Sequence, residues 1–446
     1  MVLRPPDTTE ELPRAGAPDG APGASAPSPG GKHGAHQVEG WRGRHRARTT
    51  DRRARRRERR SARRFWFGRH PWPTGLLAAV VLLTPVWVSL GSTLTDSALG
   101  PTVGARFVEW VRDHGGNGLV RWIENEWYTH HQPPKGGQPP KGAIPPPPAQ
   151  AYGRRPTQHV VPHLPAPAPI APFTNPPVAG EGQWHPAGRL VGGMPAVYEA
   201  FLRPDAVHTS LVVGVAWMDT SLLRATQYSG TYVPGDGPWH YTAPVARDDA
   251  ATLVAAFNSG FRMKDAQGGY YAEGKMVTPL RNGAASFVIY DNGTASVGQW
   301  GRDFTSTAGM GSVRQNLDLL VDNGQPVPGL YPNDTTRWGF TLGNAVYVWR
   351  SGVGVTANGA LVYAGGPGLN ITTLADVLAR AGAVRAMELD INTAWVNLTT
   401  YAPATPDVYA APANGTPLLP AMSGGATRWF SAWDRDFITM SSRYSG

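Results

Sequence analysis

The chain of 446 residues contains no cysteine. Disulfides, thiolate metal sites and a cysteine nucleophile are therefore excluded. Histidine is scarce where motifs are dense: all 12 histidines lie at or before His240. A histidine-based triad drawn from residues 241–446 is excluded, and no Gly-x-Ser-x-Gly elbow occurs. His185, His208 and His240 read as surface or packing residues. No HExxH or clustered ligand pattern supports a transition-metal site. Gly309–Gly311 and Gly365–Gly368 lack the strand–GxGxxG–helix context of nucleotide binding, so no cofactor is expected.

Charge of one sign is also unevenly supplied. The formal net charge is +9. Residues 1–177 carry 24 Lys+Arg against 12 Asp+Glu, whereas residues 178–446 carry 17 against 20. The basic balance belongs to the N-terminal part, so overall charge is no argument for nucleic-acid binding.

What is present divides the chain into five parts. Residues 1–70 are rich in Pro, Gly, Ala and Ser, then in arginine, and read as a disordered cytoplasmic tail. Trp41–Arg64 alone holds thirteen arginines. They read as the positive flank of a membrane span, able to meet anionic inner-leaflet lipid. Residues 71–95 hold the uncharged run Gly75–Leu90, extended by Gly91–Leu94 and preceded by Phe65, Trp66, Phe67 and Trp72. This is the pattern of an uncleaved transmembrane signal-anchor helix, with everything after it facing outward. Residues 96–131 place Phe107, Trp110, Val111, Leu119, Trp122, Ile123 and Trp127 at helical spacing. Amphipathic helices on the outer membrane surface and packing against the main domain are both open. Residues 132–178, with QPPKGG, QPPKG and a PPPP run, read as an extended Pro-rich spacer.

Residues 179–446 fit one large domain. Strands are expected at His208–Ala216, Leu253–Phe257, Ala285–Tyr290, Thr294–Gln299, Leu317–Val321, Ala345–Trp349, Gly352–Thr356, Ala360–Tyr363 and Val384–Leu389. Asn282-Gly283, Asn292-Gly293, Asn323-Gly324 and Asn358-Gly359 punctuate them. Asn-Gly favours hairpins because both positions take positive φ. One clear helix, Thr373–Ala381, has Thr372 or Thr373 as cap and Gly382 as stop. It lies between two strands, making Ala360–Leu389 a βαβ-like unit. The fold class is α+β, mostly antiparallel sheet.

The chemistry concentrates at Arg385–Trp395, RAMELDINTAW. Glu388 and Asp390 are two apart, which on a strand puts both carboxylates on one face. Acids in an apolar run are costly to bury unless paired or used. A third acid, Glu273, stands in GGYYAEGK. Ala255–Phe261 reads AAFNSGF, Arg350–Gly359 reads RSGVGVTANG, and Glu388–Trp395 reads ELDINTAW. In this order the motifs resemble those of the phosphodiester glycosidases. Asn258, Gly260 and Phe261 match the first, Arg350, Gly354 and Gly359 the second, and Leu389 and Asp390 the third. Ser259 departs from the pattern. So does Ile391–Trp395, which replaces a run of glycine and serine that would offer backbone N–H groups to a phosphate.

The resemblance implies hydrolysis of a glycosyl phosphodiester in an envelope or secreted glycan. Asp390, Glu388 and Glu273 are the candidate catalytic carboxylates, since glycoside cleavage uses two. Asn258, Gly260, Arg262, Arg350, Asn392 and Trp395 are candidate substrate contacts: guanidiniums for the phosphodiester, an indole face for a sugar. The same fold binding a phosphoglycan without turnover is the alternative.

Overall fold

The computed structural model describes residues 71–95, 103–111, 114–115, 132–146 and 161–444, save 232, 236, 335–336, 340–345, 406–407 and 433. The expected cytoplasmic tail and most of residues 96–131 lie outside this set. The chain divides into two compact units at Thr84, and all the sheets lie in the second.

Helix α1 is Pro71–Thr95, with Pro85 inside it. Among the described residues no helix is long and apolar enough to cross a membrane. The uninterrupted run Gly75–Leu90 falls short of the ~20 residues a span needs, and its extension adds Gly, Ser and Thr. The expected transmembrane helix thus has a helical backbone here but no structural support as a span. Helix α2, Val103–Val111, packs on the end of α1. Trp110 Nε1 donates to Ser89 Oγ at 3.1 Å, and Arg106 donates to Leu94 O at 2.9 Å. A cation thereby meets the carbonyl end of α1, where the helix dipole favours it.

The described parts of the expected Pro-rich spacer are bound to the domain rather than extended from it. Gly136 N donates to Val207 O at 2.7 Å, and Leu164 N donates to Asp219 Oδ2 at 2.7 Å. Ile144 and Ile170 are buried. The Arg380 guanidinium lies 3.9 Å from the Phe173 ring centroid. The prolines remove backbone donors but leave carbonyls and apolar rings, and the domain supplies partners for both.

Among its described residues the domain has eighteen strands: β1 His185–Val191, β2 Met194–Leu202, β3 Val213–Met218, β4 Leu223–Tyr228, β5 Leu253–Asn258, β6 Tyr270–Ala272, β7 Lys275–Thr278, β8 Ala285–Tyr290, β9 Ala295–Gln299, β10 Met310–Gln315, β11 Leu319–Asp322, β12 Gln325–Pro326, β13 Val348–Thr356, β14 Leu361–Leu369, β15 Ala383–Glu388, β16 Leu398–Tyr401, β17 Gly415–Pro417 and β18 Phe437–Ser442. They form one eight-stranded sheet, β1-β2-β3-β14-β13-β15-β11-β12, and two of five, β7-β6-β10-β8-β9 and β17-β16-β5-β18-β4. Every ladder between them is antiparallel, as expected of the class.

Helix α3, Ile371–Arg380, links β14 to β15. Both strands pair antiparallel to β13, which lies between them, so they are parallel to each other. This is the expected βαβ-like unit with one strand inserted. Its N-cap is Asn370, whose Oδ1 accepts from Thr373 N at 2.8 Å, rather than a threonine. Asn wins because its side-chain oxygen reaches the exposed N–H while its backbone stays extended.

The expected hairpins at Asn292-Gly293, Asn323-Gly324 and Asn358-Gly359 all join paired strands. Only Asn323-Gly324 takes positive φ at both positions, 50° and 75°. At the other two only the glycine does. There Asn292 contributes its side chain instead, accepting from Thr294 N at 2.9 Å. The Asn282-Gly283 turn precedes β8 but joins no paired neighbours.

The core has two faces. Val353, Val355, Tyr363, Met387 and Leu389 pack with Phe257 and Phe287 of the smaller sheets. Val362, Ala364 and Ala386 pack with Leu374, Val377 and Leu378 of α3. Gly352 allows the close approach, since a Cβ there would lie 2.9 Å from Leu378 Cδ1. Replacing Asn370 by alanine removes the α3 cap and should lower unfolding free energy by about 1 kcal/mol. Denaturant titration measures this directly; an unchanged midpoint would show that α3 is held by packing alone.

Candidate functional site

Three chain segments that are distant in sequence end at one place: the end of β5, the start of β13 and the end of β15. Asn258, the last residue of β5, joins them. Its Nδ2 donates to Ser259 O at 2.9 Å and to Ser351 Oγ at 3.0 Å. Its Oδ1 accepts from Tyr363 Oη at 2.9 Å and from Asn397 N at 3.0 Å. An amide has two donors and two acceptor positions, so Asn258 is saturated by the protein. Asn316 acts similarly, accepting from Phe261 N at 3.0 Å and donating to Glu388 O at 2.9 Å. Gly260 is beside it; a Cβ there would lie 3.0 Å from the Asn316 side chain.

The expected common face for Glu388 and Asp390 does not form. Leu389 N donates to Ser351 O at 2.8 Å, and Ser351 N donates to Asp390 O at 3.2 Å. Leu389 and Asp390 together oppose Ser351, which is a bulge, and a bulge breaks the two-residue alternation. The acids consequently take different partners. Glu388 is 0 % exposed and bonds Arg350, whose Nε also donates to Leu369 O at 3.2 Å. Asp390 is 4 % exposed and lies 3.2 Å from Arg435 Nη1. Its Oδ1 accepts from Asn392 N at 2.9 Å.

Further ion pairs surround it. Arg428 reaches Asp434 at 2.9 Å, and Arg314 reaches Asp436 at 2.8 Å, all four side chains buried. Arg314 also donates to Phe261 O. For Glu388, Asp390 and Asp434, desolvation opposes ionisation more strongly than the paired cations restore it. Burial pushes Glu388 up to about 7, against the Arg350 guanidinium and with help from Asp390. Burial likewise raises Asp390, opposed by Arg435, the Asn392 N–H, Arg428 and Arg262. Glu388 Oε2, Ser259 Oγ and Asp436 Oδ1 are buried without a hydrogen-bond partner among the described residues.

The other candidates fall in several places. Arg262 pairs with Asp265 at 2.9 Å and contributes to the field at Asp390. Asn392 is exposed, and its Oδ1 accepts from Ala394 N at 2.9 Å. Trp395 is buried, with Arg435 at 4.0 Å and Arg428 at 4.5 Å from its ring centroid. Guanidiniums, rather than solvent, meet this indole. Glu273 is apart from the cluster. It is an exposed residue with φ 50° between β6 and β7, accepting from His240 N at 2.8 Å and Tyr241 N at 2.9 Å. Sequence reasoning missed Arg428, Asp434, Arg435, Asp436 and Arg314. Asp434-Arg435-Asp436, just before the apolar strand β18, carried the same signal of acids beside an apolar run that marked Glu388 and Asp390.

Residues 251–390 match the family model described as phosphodiester glycosidase. The match starts just before β5 and ends on Asp390. Among curated proteins no sequence matches. Among solved structures, the zebrafish N-acetylglucosamine-1-phosphodiester alpha-N-acetylglucosaminidase catalytic domain, auto-inhibited by its pro-peptide, is similar at 12% identity and TM-score 0.36, covering 59% of this chain and 88% of that one. A hypothetical protein from Synechocystis is similar at 13% identity and TM-score 0.29, covering 56% and 63%. A putative exported protein from Burkholderia pseudomallei is similar at 15% and 0.30, covering 52% and 74%.

A carboxyl raised by folding binds more protons folded than unfolded. Its contribution therefore favours the fold at low pH and is lost as pH rises from about 4.5 to about 7. Glu388→Gln should flatten the fall in stability across that window, read as unfolding midpoints at a series of pH values. A slope equal to wild type would place Glu388 in a well-solvated state.

Proposed function

We propose that this protein, whose residues 251–390 carry the phosphodiester glycosidase pattern, hydrolyses a glycosyl phosphodiester. The observation that carries the reading is Asp390: a buried carboxylate at a strand end, within the field of Arg435, Arg428 and Arg262. A phosphodiester is a single anion, and guanidiniums bind it as planar forks. Glycoside cleavage calls for two carboxyls of unequal acidity. Glu388, pushed up to about 7, and Asp390, raised by burial amid three arginines, are the two carboxyls at this place.

In this mechanism the guanidiniums hold the phosphate, and the bond between the anomeric carbon and the phosphate oxygen breaks. Its electron pair leaves on that oxygen, which is a good leaving group without protonation. Asp390 faces the electron-poor anomeric carbon, either as nucleophile, forming a glycosyl ester that water then hydrolyses, or as the base that takes a proton from the attacking water. Asn258, saturated by protein groups, and Arg350, bonded to Glu388 and to the carbonyls of Leu369 and Trp338, fix the floor rather than touch the sugar.

The second reading is binding without turnover. Ile391–Trp395 stands where the family has glycine and serine, and Trp395 fills space between Arg428 and Arg435. The full-length protein incubated with an aryl phosphodiester of a hexose distinguishes the two. Release of the aryl phosphate, reduced at least a hundredfold in Asp390→Asn, supports hydrolysis. Tight binding with no release supports the second reading and sinks the first.

We further propose that the domain faces outward from a membrane through α1. The support is the order of thirteen arginines, aromatic residues and an apolar run in the sequence alone. A reporter fused after Gly142 should be active outside the cytoplasmic membrane; activity confined to the cytoplasm overturns the placement.

A further inference from the structure

Glu273 has a different task from the one its sequence context suggested. Its carboxylate accepts two successive backbone N–H groups, His240 and Tyr241, at 2.8 and 2.9 Å. Lys275, two residues on, donates to Pro238 O at 3.2 Å and lies 5.0 Å from the Trp239 ring centroid. The β6–β7 turn therefore grips residues 238–241 from both ends. Charged groups accepting or donating at a loop backbone hold it more firmly than neutral ones.

That gripped loop packs on the buried Tyr270 ring and starts beside Asp434 and Arg435. The Trp239 indole meets Tyr270 at 6.2 Å between centroids, with the ring planes at 65°. The Tyr270 ring lies 5.9 Å from the Arg314 guanidinium, which pairs with Asp436. From the other side, Thr231 N donates to Asp434 O at 3.0 Å, and Gly230 abuts the Arg435 backbone. The loop thus begins against the residue that pairs with Asp390. Unlike Trp395, whose ring carries two guanidiniums, Trp239 carries only the Lys275 ammonium among the described residues and is half-buried.

We infer that Trp239 is a specificity-determining platform for a pyranose ring attached to the phosphate, and that Glu273 is the positioning residue that holds it there. The inference rests on the glycosyl phosphodiester reading of the site. An indole suits this ligand because its face meets the apolar C–H face of a sugar, while nearby cations meet the phosphate. The occupant is a monosaccharide unit carrying a phosphate, not a bare anion.

The test uses the full chain and two ligands, a hexose 1-phosphate and inorganic phosphate, by calorimetric titration. Trp239→Ala should weaken hexose 1-phosphate binding about tenfold, the worth of one aromatic contact, and leave inorganic phosphate unchanged. Trp239→Phe should recover most of the loss, which also covers failure of the alanine variant to fold. Glu273→Ala should show the same sugar-selective loss, and Glu273→Gln, which retains an acceptor oxygen, a smaller one. Tyr331→Ala, an exposed aromatic elsewhere, serves as control. Equal binding of hexose 1-phosphate by wild type and Trp239→Ala overturns the inference, whatever the turnover. Sugar-selective, Trp239-dependent binding without hydrolysis upholds it while the hydrolase reading falls. A wild type that binds neither ligand overturns both.

Discussion

The side-chain amide of Asn258 is the joint on which the site depends. Four hydrogen bonds leave it, to the backbone at Ser259 and Asn397 and to the side chains of Ser351 and Tyr363. They tie the end of β5 to β13, to β14 and to the segment before β16. Asp390 N completes the joint by donating to Ser259 O at 3.1 Å. A buried amide with every position filled specifies one arrangement, because any other leaves donors or acceptors unpaired at a cost of about 1–3 kcal/mol each. The acids can therefore be carried by strand ends from different sheets and still be placed closely.

Around that joint the problem is charge. Four buried carboxylates, Glu388, Asp390, Asp434 and Asp436, each face a buried or nearly buried arginine. Desolvation makes such pairs weak contributors to stability, and replacing them by apolar side chains is often neutral or better. Their presence in a core otherwise lined by Val, Leu, Phe and Tyr calls for a reason other than stability. A site that must hold an anion and keep a carboxylate beside it provides one. Glu388 Oε2, Ser259 Oγ and Asp436 Oδ1 at the same place, unpartnered among the described residues, fit that account.

What the sequence disclosed follows from locality. Hairpins with Asn-Gly turns, α3 and the apolar strands β5, β8 and β15 are set by neighbouring residues, and they formed where expected. Asn258, Arg350 and Asp390 were legible because each ends or opens such an element. Short strands of mixed composition, such as β6 and β17, were not legible, since their pairing partners are remote. The partnership of Asp390 with Arg435 spans the same kind of distance. The bulge at Leu389 was hidden too: strand alternation assumes an unbroken ladder, and only Ser351, across the sheet, reveals the break. The Pro-rich stretches misled because composition reports what a segment lacks, not which surface it meets.

The turn after Asp390 is where these points converge. A glycine-rich turn would leave its N–H groups pointing outward, ready for a phosphate. Here the turn after Asp390 closes by side chains instead. Asp390 Oδ1 takes the N–H of Asn392, and Asn392 Oδ1 takes that of Ala394. Asn392 O in turn takes the N–H groups of Trp395 and Val396 at 2.8 and 3.1 Å. Four backbone N–H groups of the turn, those of Asn392, Ala394, Trp395 and Val396, are thus used within it. Trp395, brought in by that turn, lays its ring against Arg428 and Arg435 and fixes both near Asp390. Beside Asp390 the charged partners are guanidiniums, while these N–H groups serve the turn itself. Positive character beside Asp390 therefore comes from planar forks held by an indole.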